Sequence, residues 1–276
     1  MEYGNAAWGL RELPLEEQLK LTQAMGLHLL ELSIANYHRD ALQPDASAEQ
    51  IRQVKALFAQ YDVRPDCGAT GNDFTAGSAA DVRESLDRVK RAADIAAALG
   101  VKVLRIFAGF TSDSLVYGER FDRALEALQL AAEHVRGTGV RLAIETHGGV
   151  AATGDVLHHS ATVTTRIDTM RKLLESLPAA EIGMNYDPAN LAAVGDAAPE
   201  RWFGLFRDRI ALVHLKDFRD VPGGIVPAGC GEGRLDWKAL LAALKEYDGP
   251  ALIEYELPAD VEDGLRRSLR FLKQNQ

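Results

Sequence analysis

Cysteine is nearly absent from this sequence: there are two, Cys67 and Cys230, among 276 residues. One bridge is arithmetically open to them, but a disulfide-stapled scaffold is excluded. Long apolar runs are also missing. No window of about 18 residues is free of charge, so no membrane span is expected. Positive charge is in deficit, with 31 Lys and Arg against 40 Asp and Glu and a formal net charge of −9. That balance works against tight binding to a phosphate backbone or an acidic bilayer, so neither nucleic acid nor membrane is expected as a partner. The N-terminus carries no basic stretch followed by an apolar run, and a cytoplasmic protein is the expectation. Low-complexity segments and linkers are lacking too.

What remains is an ordinary globular composition, 47% hydrophobic and 26% charged. A chain of this length buries a large core unaided. Short β-rich runs at 3–8, 27–34, 63–69, 101–107, 140–146, 182–187, 210–215 and 251–255 alternate with amphipathic runs. Val82, Leu86, Val89, Ala93 and Ala96 follow helical spacing, as do Phe121, Leu125, Leu128, Ala132 and Val135. Val261, Leu265, Leu269 and Leu272 mark a terminal helix. Ser47 with Gln50 reads as a capping box. Gly26, Gly100 and Gly139 stand where helix C-caps fall. Eight strand–helix units in regular alternation predict a single-domain (β/α)8 TIM barrel over 1–276. An open doubly wound sheet is the rival, but GxGxxG is missing after the first strand.

In such a barrel, functional groups sit where strands end. The fifth to eighth strands end in Glu145, Asp187, His214 and Glu254. With side chains alternating faces, these four point inward while Ile144, Tyr186, Val213 and Ile253 point out under the helices. The same parity places His147, Asn185, Lys216 and Glu256 inside. Three converging carboxylates repel one another and are costly to bury unless a cation lies among them. Three carboxylates and one imidazole suit one divalent ion, Mn²⁺ first, with Mg²⁺, Co²⁺ or Zn²⁺ as alternatives. Trp8, Glu31, Arg105, His147, Asn190 and Lys216 are the candidate substrate contacts. Trp8 offers an apolar ring face, Glu31 a hydroxyl partner, and Arg105 and Lys216 a cation for an anionic group. Lys216 has a plainer alternative, pairing with Asp217 or Glu256. The segments 148–163 and 221–234 are expected as loops able to close over the mouth.

The strings LAIETH, NYDPAN, VHLKD and IEYE resemble the metal-binding strand ends of the sugar phosphate isomerase/epimerase family, the xylose isomerase-like TIM barrels. The stretch Gly231-Glu232-Gly233-Arg234-Leu235-Asp236-Trp237 is similar to that family's GEG-x-hydrophobic-x-W segment. Phe107-Ala108-Gly109-Phe110 resembles the fourth-strand end of ketose 3-epimerases. The resemblance implies that Glu145, Asp187, His214 and Glu254 ligate one divalent metal, and that Glu145 and Glu254 also move the proton. Two positions depart from the epimerase pattern: Asn190 stands where those proteins carry His, and Asp220, beside Arg219, where they carry Arg.

The expected chemistry is proton abstraction next to a carbonyl, with a metal-stabilised enediolate, on a small-molecule sugar or keto-sugar. Return of the proton to the opposite face epimerises; return to the neighbouring carbon isomerises. Expulsion of a β-hydroxyl makes a lyase, the alternative reading for a keto-sugar or inosose. Phosphodiester cleavage on the same barrel type fits poorly with the negative charge and Asn190. Sugar binding without turnover fits poorly with Glu145 and Glu254. A homo-oligomer is compatible with the fold, and no interface is legible.

Overall fold

A computed structural model describes residues 1–36 and 42–275. Eight parallel strands make one curled sheet: β1 (Glu2–Asn5), β2 (Leu32–Ser33), β3 (Cys67–Ala69), β4 (Val103–Ile106), β5 (Arg141–Glu145), β8 (Ile182–Tyr186), β9 (Ile210–Leu215) and β12 (Pro250–Ile253). Their spatial order is β1-β12-β9-β8-β5-β4-β3-β2. The end strands meet through an Asn5–Leu30 bridge, where Asn5 N donates to Leu29 O at 3.1 Å and Glu31 N to Asn5 O at 2.9 Å. This contact closes the barrel.

The helices follow the apolar spacing. α3 (Ala79–Leu99) buries Val82, Leu86, Val89, Ala93 and Ala96; Ser78 caps its start and Gly100, at φ 86°, ends it in the left-handed conformation that glycine tolerates. α2 (Ala48–Gln60) opens with both halves of the capping box between Ser47 and Gln50. Between the barrel strands and at the end of the chain run α1 (Leu15–Ala24), α4 (Glu119–Val135), α5 (Ile167–Glu175), α6 (Pro188–Ala193), α7 (Arg201–Phe206), α8 (Trp237–Ala243) and α9 (Val261–Gln274). Gly26 follows α1 with φ 70°. Gly139 does not cap α4: that helix ends at Val135, and Gly139, at φ 85°, turns the chain further on.

The apolar residues divide into two compartments. A large belt between strands and helices contains Ile144, Tyr186, Val213 and Ile253. A small plug inside the barrel is made of Ala6, Leu29, Cys67, Leu212 and Leu252. Leu212 and Leu252 lie two residues before His214 and Glu254, so those strands carry inward polar tips above an inward apolar floor. Both cysteines are free and buried. No helix among the described residues is long and apolar enough to cross a membrane.

The second strand is shorter than the run 27–34. Ahead of the Leu32–Ser33 ladder with β3, residues of that run pair singly, Leu29 with Arg64 on one side and Leu30 with Asn5 on the other. A closing strand that alternates between two neighbours forms little continuous ladder.

The two expected loops are a correction. Within the first lie β6 (Gly149–Thr153) and β7 (Val156–Ser160); β10 (Asp217–Val221), which ends where the second begins, pairs with β11 (Gly224–Ala228) inside it. The hairpins join through Leu157 and Ile225 into a four-stranded sheet, β10-β11-β7-β6. Gly154, at φ 62°, and Gly223, at φ 88°, supply the turn conformations. The turn dipeptides Gly154-Asp155 and Pro222-Gly223 carried that signal.

Candidate metal centre

The side chains of Glu145, Asp187, His214 and Glu254 converge at the C-terminal mouth of the barrel. One ligand atom from each lies within 4.8 Å of the others, and all four residues are buried. Glu145 ends β5 and Glu254 follows β12. His214 follows a bulge: Met184 pairs with Ile210 but Asn185 with Leu212, leaving Ala211 as the extra residue of β9. Asp187 leaves β8 and caps α6, accepting from Asn190 N at 2.9 Å. Thr146 clasps it, receiving Asp187 N at 2.9 Å and donating to Asp187 O at 3.2 Å.

The His214 ring is fully buried, and among the described residues no group makes a well-aligned hydrogen bond to either nitrogen. Its Nδ1 stands 3.8 Å from Glu145 Oε1 and 3.7 Å from Glu254 Oε2. A buried imidazole with a bare nitrogen among three carboxylates is the donor set of a hard or borderline divalent cation. The residues present therefore fit the metal that the sequence implies.

Cations built into the chain partly balance the carboxylates. Lys216, 3% exposed, lies 3.1 Å from Asp187 Oδ2, 2.8 Å from Glu254 Oε2 and 2.8 Å from Glu256 Oε1. Arg105 Nε lies 3.2 Å from Glu145 Oε2, its guanidinium 4.3 Å over the Phe107 ring. Burial alone would push every carboxylate up. For Glu254, Lys216 and His214 outweigh it and bring the group to about 2. For Glu145 burial prevails over Arg105 and His214, and the group stands at about 7. His214 is opposed by burial but held at about 9 by Glu254, Glu31 and Glu145. Burial and Lys216 pull His147 down to about 3, so its ring is uncharged at neutral pH.

A cavity of about 700 Å³ opens over this cluster. Trp8, Arg105, His147, Asn190 and Lys216, all expected at the substrate, line it. Asn190 Nδ2 donates to Glu145 Oε1 at 3.1 Å and to Asp187 Oδ2 at 3.0 Å, tying two carboxylates from different strands together. His147 Nδ1 faces Gly148 O at 2.5 Å, which fixes its proton there and leaves Nε2 as an acceptor. Glu31 does not line the cavity. Fully buried, it receives Ala7 N at 3.0 Å and stands 3.4 Å from His214 Nε2, behind the ring.

Phe107, Phe110 and His147 form a mutually contacting trio with ring centroids 4.7, 5.1 and 5.4 Å apart. The hairpin sheet adds Leu157, His159 and Pro227 to the wall. Arg11 lines the rim with its guanidinium 4.5 Å over the Trp8 ring; its spacing of three residues from Trp8 is the only sequence signal for it. Glu256, inward by parity, also lines the cavity and belongs to the Lys216 network. Asp220 and Arg219 do not line it; both are exposed on β10, and Asp220 pairs with Arg234 at 3.3 Å. Asp217 is not a partner of Lys216. It accepts from Gly233 N, Arg234 N, Leu235 N and Trp237 Nε1, the last at 2.7 Å. That carboxylate is the reason for glycine at 233: a Cβ there would come within 2.3 Å of Asp217 Oδ1.

Fold and site together define a TIM barrel with its polar centre at the strand C-termini. The chain belongs to the xylose isomerase-like TIM barrel family, whose sequence pattern matches residues 19–275. No curated protein matches the sequence. Solved structures share the fold at low identity. The probable 3-DHS dehydratase AsbF, involved in petrobactin synthesis in Bacillus anthracis, superposes with a TM-score of 0.79 at 15% identity, covering 100% of both chains. D-allulose 3-epimerase from Methylomonas sp. gives 0.78 at 16% identity, over 100% of this chain and 98% of that one. The IOLI protein with a bound zinc atom gives 0.75 at 17%, over 99% and 97%.

Proposed function

We propose that the protein is a divalent-metal-dependent sugar isomerase or epimerase that moves a proton on the carbon beside a carbonyl. The observation that carries this reading is the convergence of Glu145, Asp187, His214 and Glu254 within 4.8 Å, with Glu145 and Glu254 on the cavity wall. Those four residues would hold the ion; Mn²⁺ is the first candidate, and the zinc in IOLI keeps Zn²⁺ alongside it. Bound there, it would supply Lewis acidity toward a carbonyl oxygen.

The chain's own groups do the rest. Glu145 and Glu254 both line the cavity and both approach His214 Nδ1, at 3.8 and 3.7 Å, so a sugar bound there would meet two carboxylates. One takes the proton to form an enediolate, and the other returns a proton to the opposite face. Lys216 and Arg105 hold positive charge beside the oxygens that become negative. His147 Nε2 and Asn190 meet substrate hydroxyls, Trp8 packs on a sugar face, and the hairpin roof excludes water. The substrate is a small sugar or keto-sugar, like the D-allulose bound by the Methylomonas epimerase.

A second reading is loss of water from a keto-sugar. It is favoured by the fold shared with the probable 3-DHS dehydratase AsbF, and Lys216 on the cavity wall would hold its charge beside a departing oxygen. One experiment tests both. The metal-loaded protein is incubated with a panel of ketoses and keto-sugars in D₂O. Deuterium beside the carbonyl without other mass change establishes the isomerase, and a loss of one water establishes the lyase. Retention of every substrate without deuterium, in protein with bound metal, refutes both.

A further inference from the structure

We propose that Glu31 is a positioning residue that fixes the His214 ring and its tautomer, directing Nδ1 to the ligand set. The inference rests on the metal reading above. Glu31 precedes β2, on the strand run that closes the barrel, and is one of the most completely buried charged side chains in the chain, at 0% exposure. A buried carboxylate is costly unless charge and hydrogen-bond donors meet it. Here the partners are few. Ala7 N donates to Oε2 at 3.0 Å, and Oε1 faces His214 Nε2 at 3.4 Å.

The two nitrogens of His214 thus look in opposite directions. Nε2 meets a single carboxylate, Glu31, that lies outside the four-residue cluster and outside the cavity wall. Nδ1 meets two carboxylates of the cluster itself. A neutral imidazole has one proton, and a cation held by the four-residue cluster would exclude that proton from Nδ1, leaving it for the nitrogen that faces Glu31. Glu31 claims it at Nε2. The lone pair is left on Nδ1, inside the cluster. A carboxylate behind a ligand histidine also raises its basicity and locks its orientation. The burial of Glu31 follows: its work is done on the far side of the ring, and a hydrocarbon there would leave Nε2 without an acceptor.

The direct readout is nitrogen NMR of histidine-labelled protein loaded with Zn²⁺, with Mn²⁺ calorimetry on the wild type, Glu31→Gln and Glu31→Ala. In the wild type His214 should carry its proton on Nε2. Glu31→Ala should weaken Mn²⁺ binding by about 10–100-fold. Glu31→Gln, whose amide oxygen still accepts, should recover part of the loss. A proton on Nδ1 in the wild type would overturn the inference whatever the variants do. So would variants that bind Mn²⁺ as tightly as the wild type. Wild type that takes up neither ion removes the metal reading itself, an outcome distinct from an unchanged affinity in the variants.

Discussion

The Lys216 ammonium lies 2.8 Å from Glu254 Oε2, and both groups are buried at the floor of the cavity. Lys216 also reaches Asp187 and Glu256, so one chain-borne cation serves carboxylates of which two belong to the candidate metal set. It holds the mouth together electrically before any ion arrives. Removing one partner of a buried pair leaves an uncompensated charge, at about 3–5 kcal/mol. Lys216→Met should therefore destabilise metal-free protein by about that amount, and saturating Mn²⁺ should recover much of it. Chemical denaturation with and without the ion is the measurement. Equal stability of variant and wild type without metal would contradict this role.

Metal uptake should be proton-linked. His214, held at about 9 by its carboxylates against the effect of burial, must lose a proton to ligate. Glu145, raised by burial to about 7, must lose one below that pH. The raised groups favour the proton-bound, metal-free form, so affinity increases with pH. Calorimetry should show about a tenfold gain per pH unit between about 7 and 9, and a steeper dependence below 7. A flat affinity from pH 6 to 9 would count against His214 as a ligand.

Glu145→Gln and Glu254→Gln should each lower turnover by about 10²–10⁴-fold, since each removes a group that moves a proton. The measurement is steady-state rate on whichever sugar exchanges deuterium, with circular dichroism to confirm the fold. Both variants turning over near the wild-type rate would end the two-carboxylate mechanism.

Trp237→Phe should destabilise the protein without altering metal affinity. The indole N–H donates to the Asp217 carboxylate at 2.7 Å, and a hydrogen bond to a charged acceptor contributes about 1.5–3 kcal/mol. Urea denaturation reads the loss, and a Mn²⁺ titration should superimpose on that of the wild type.

Much of the barrel was legible because its signals are periodic. The face on which Ile144, Tyr186, Val213 and Ile253 lie follows from strand alternation alone, and the belt contains all four. Alternation likewise brought Glu145, Asp187, His214 and Glu254 to one mouth, since four successive strand ends share a face. Glu31 was harder. It lies inside a strand run, and parity cannot tell a side chain that opens on the cavity from one that stops behind an imidazole. The same holds for Asp217: beside Lys216 in sequence, it faces the backbone of 233–235, a partner sixteen or more residues away. The hairpins over the mouth have only five residues per strand and no regular alternation of burial, too little to distinguish from loop without their turn glycines.

The hairpin sheet ties together two loops of separate origin, one springing from the strand that bears Glu145 and the other from the strand that bears His214, and they meet at Leu157 and Ile225. Their seam is therefore a mechanical link between two of the four candidate ligands. Insertions or substitutions there would be felt first as altered aim of the carboxylate and the imidazole, long before the staves of the barrel noticed.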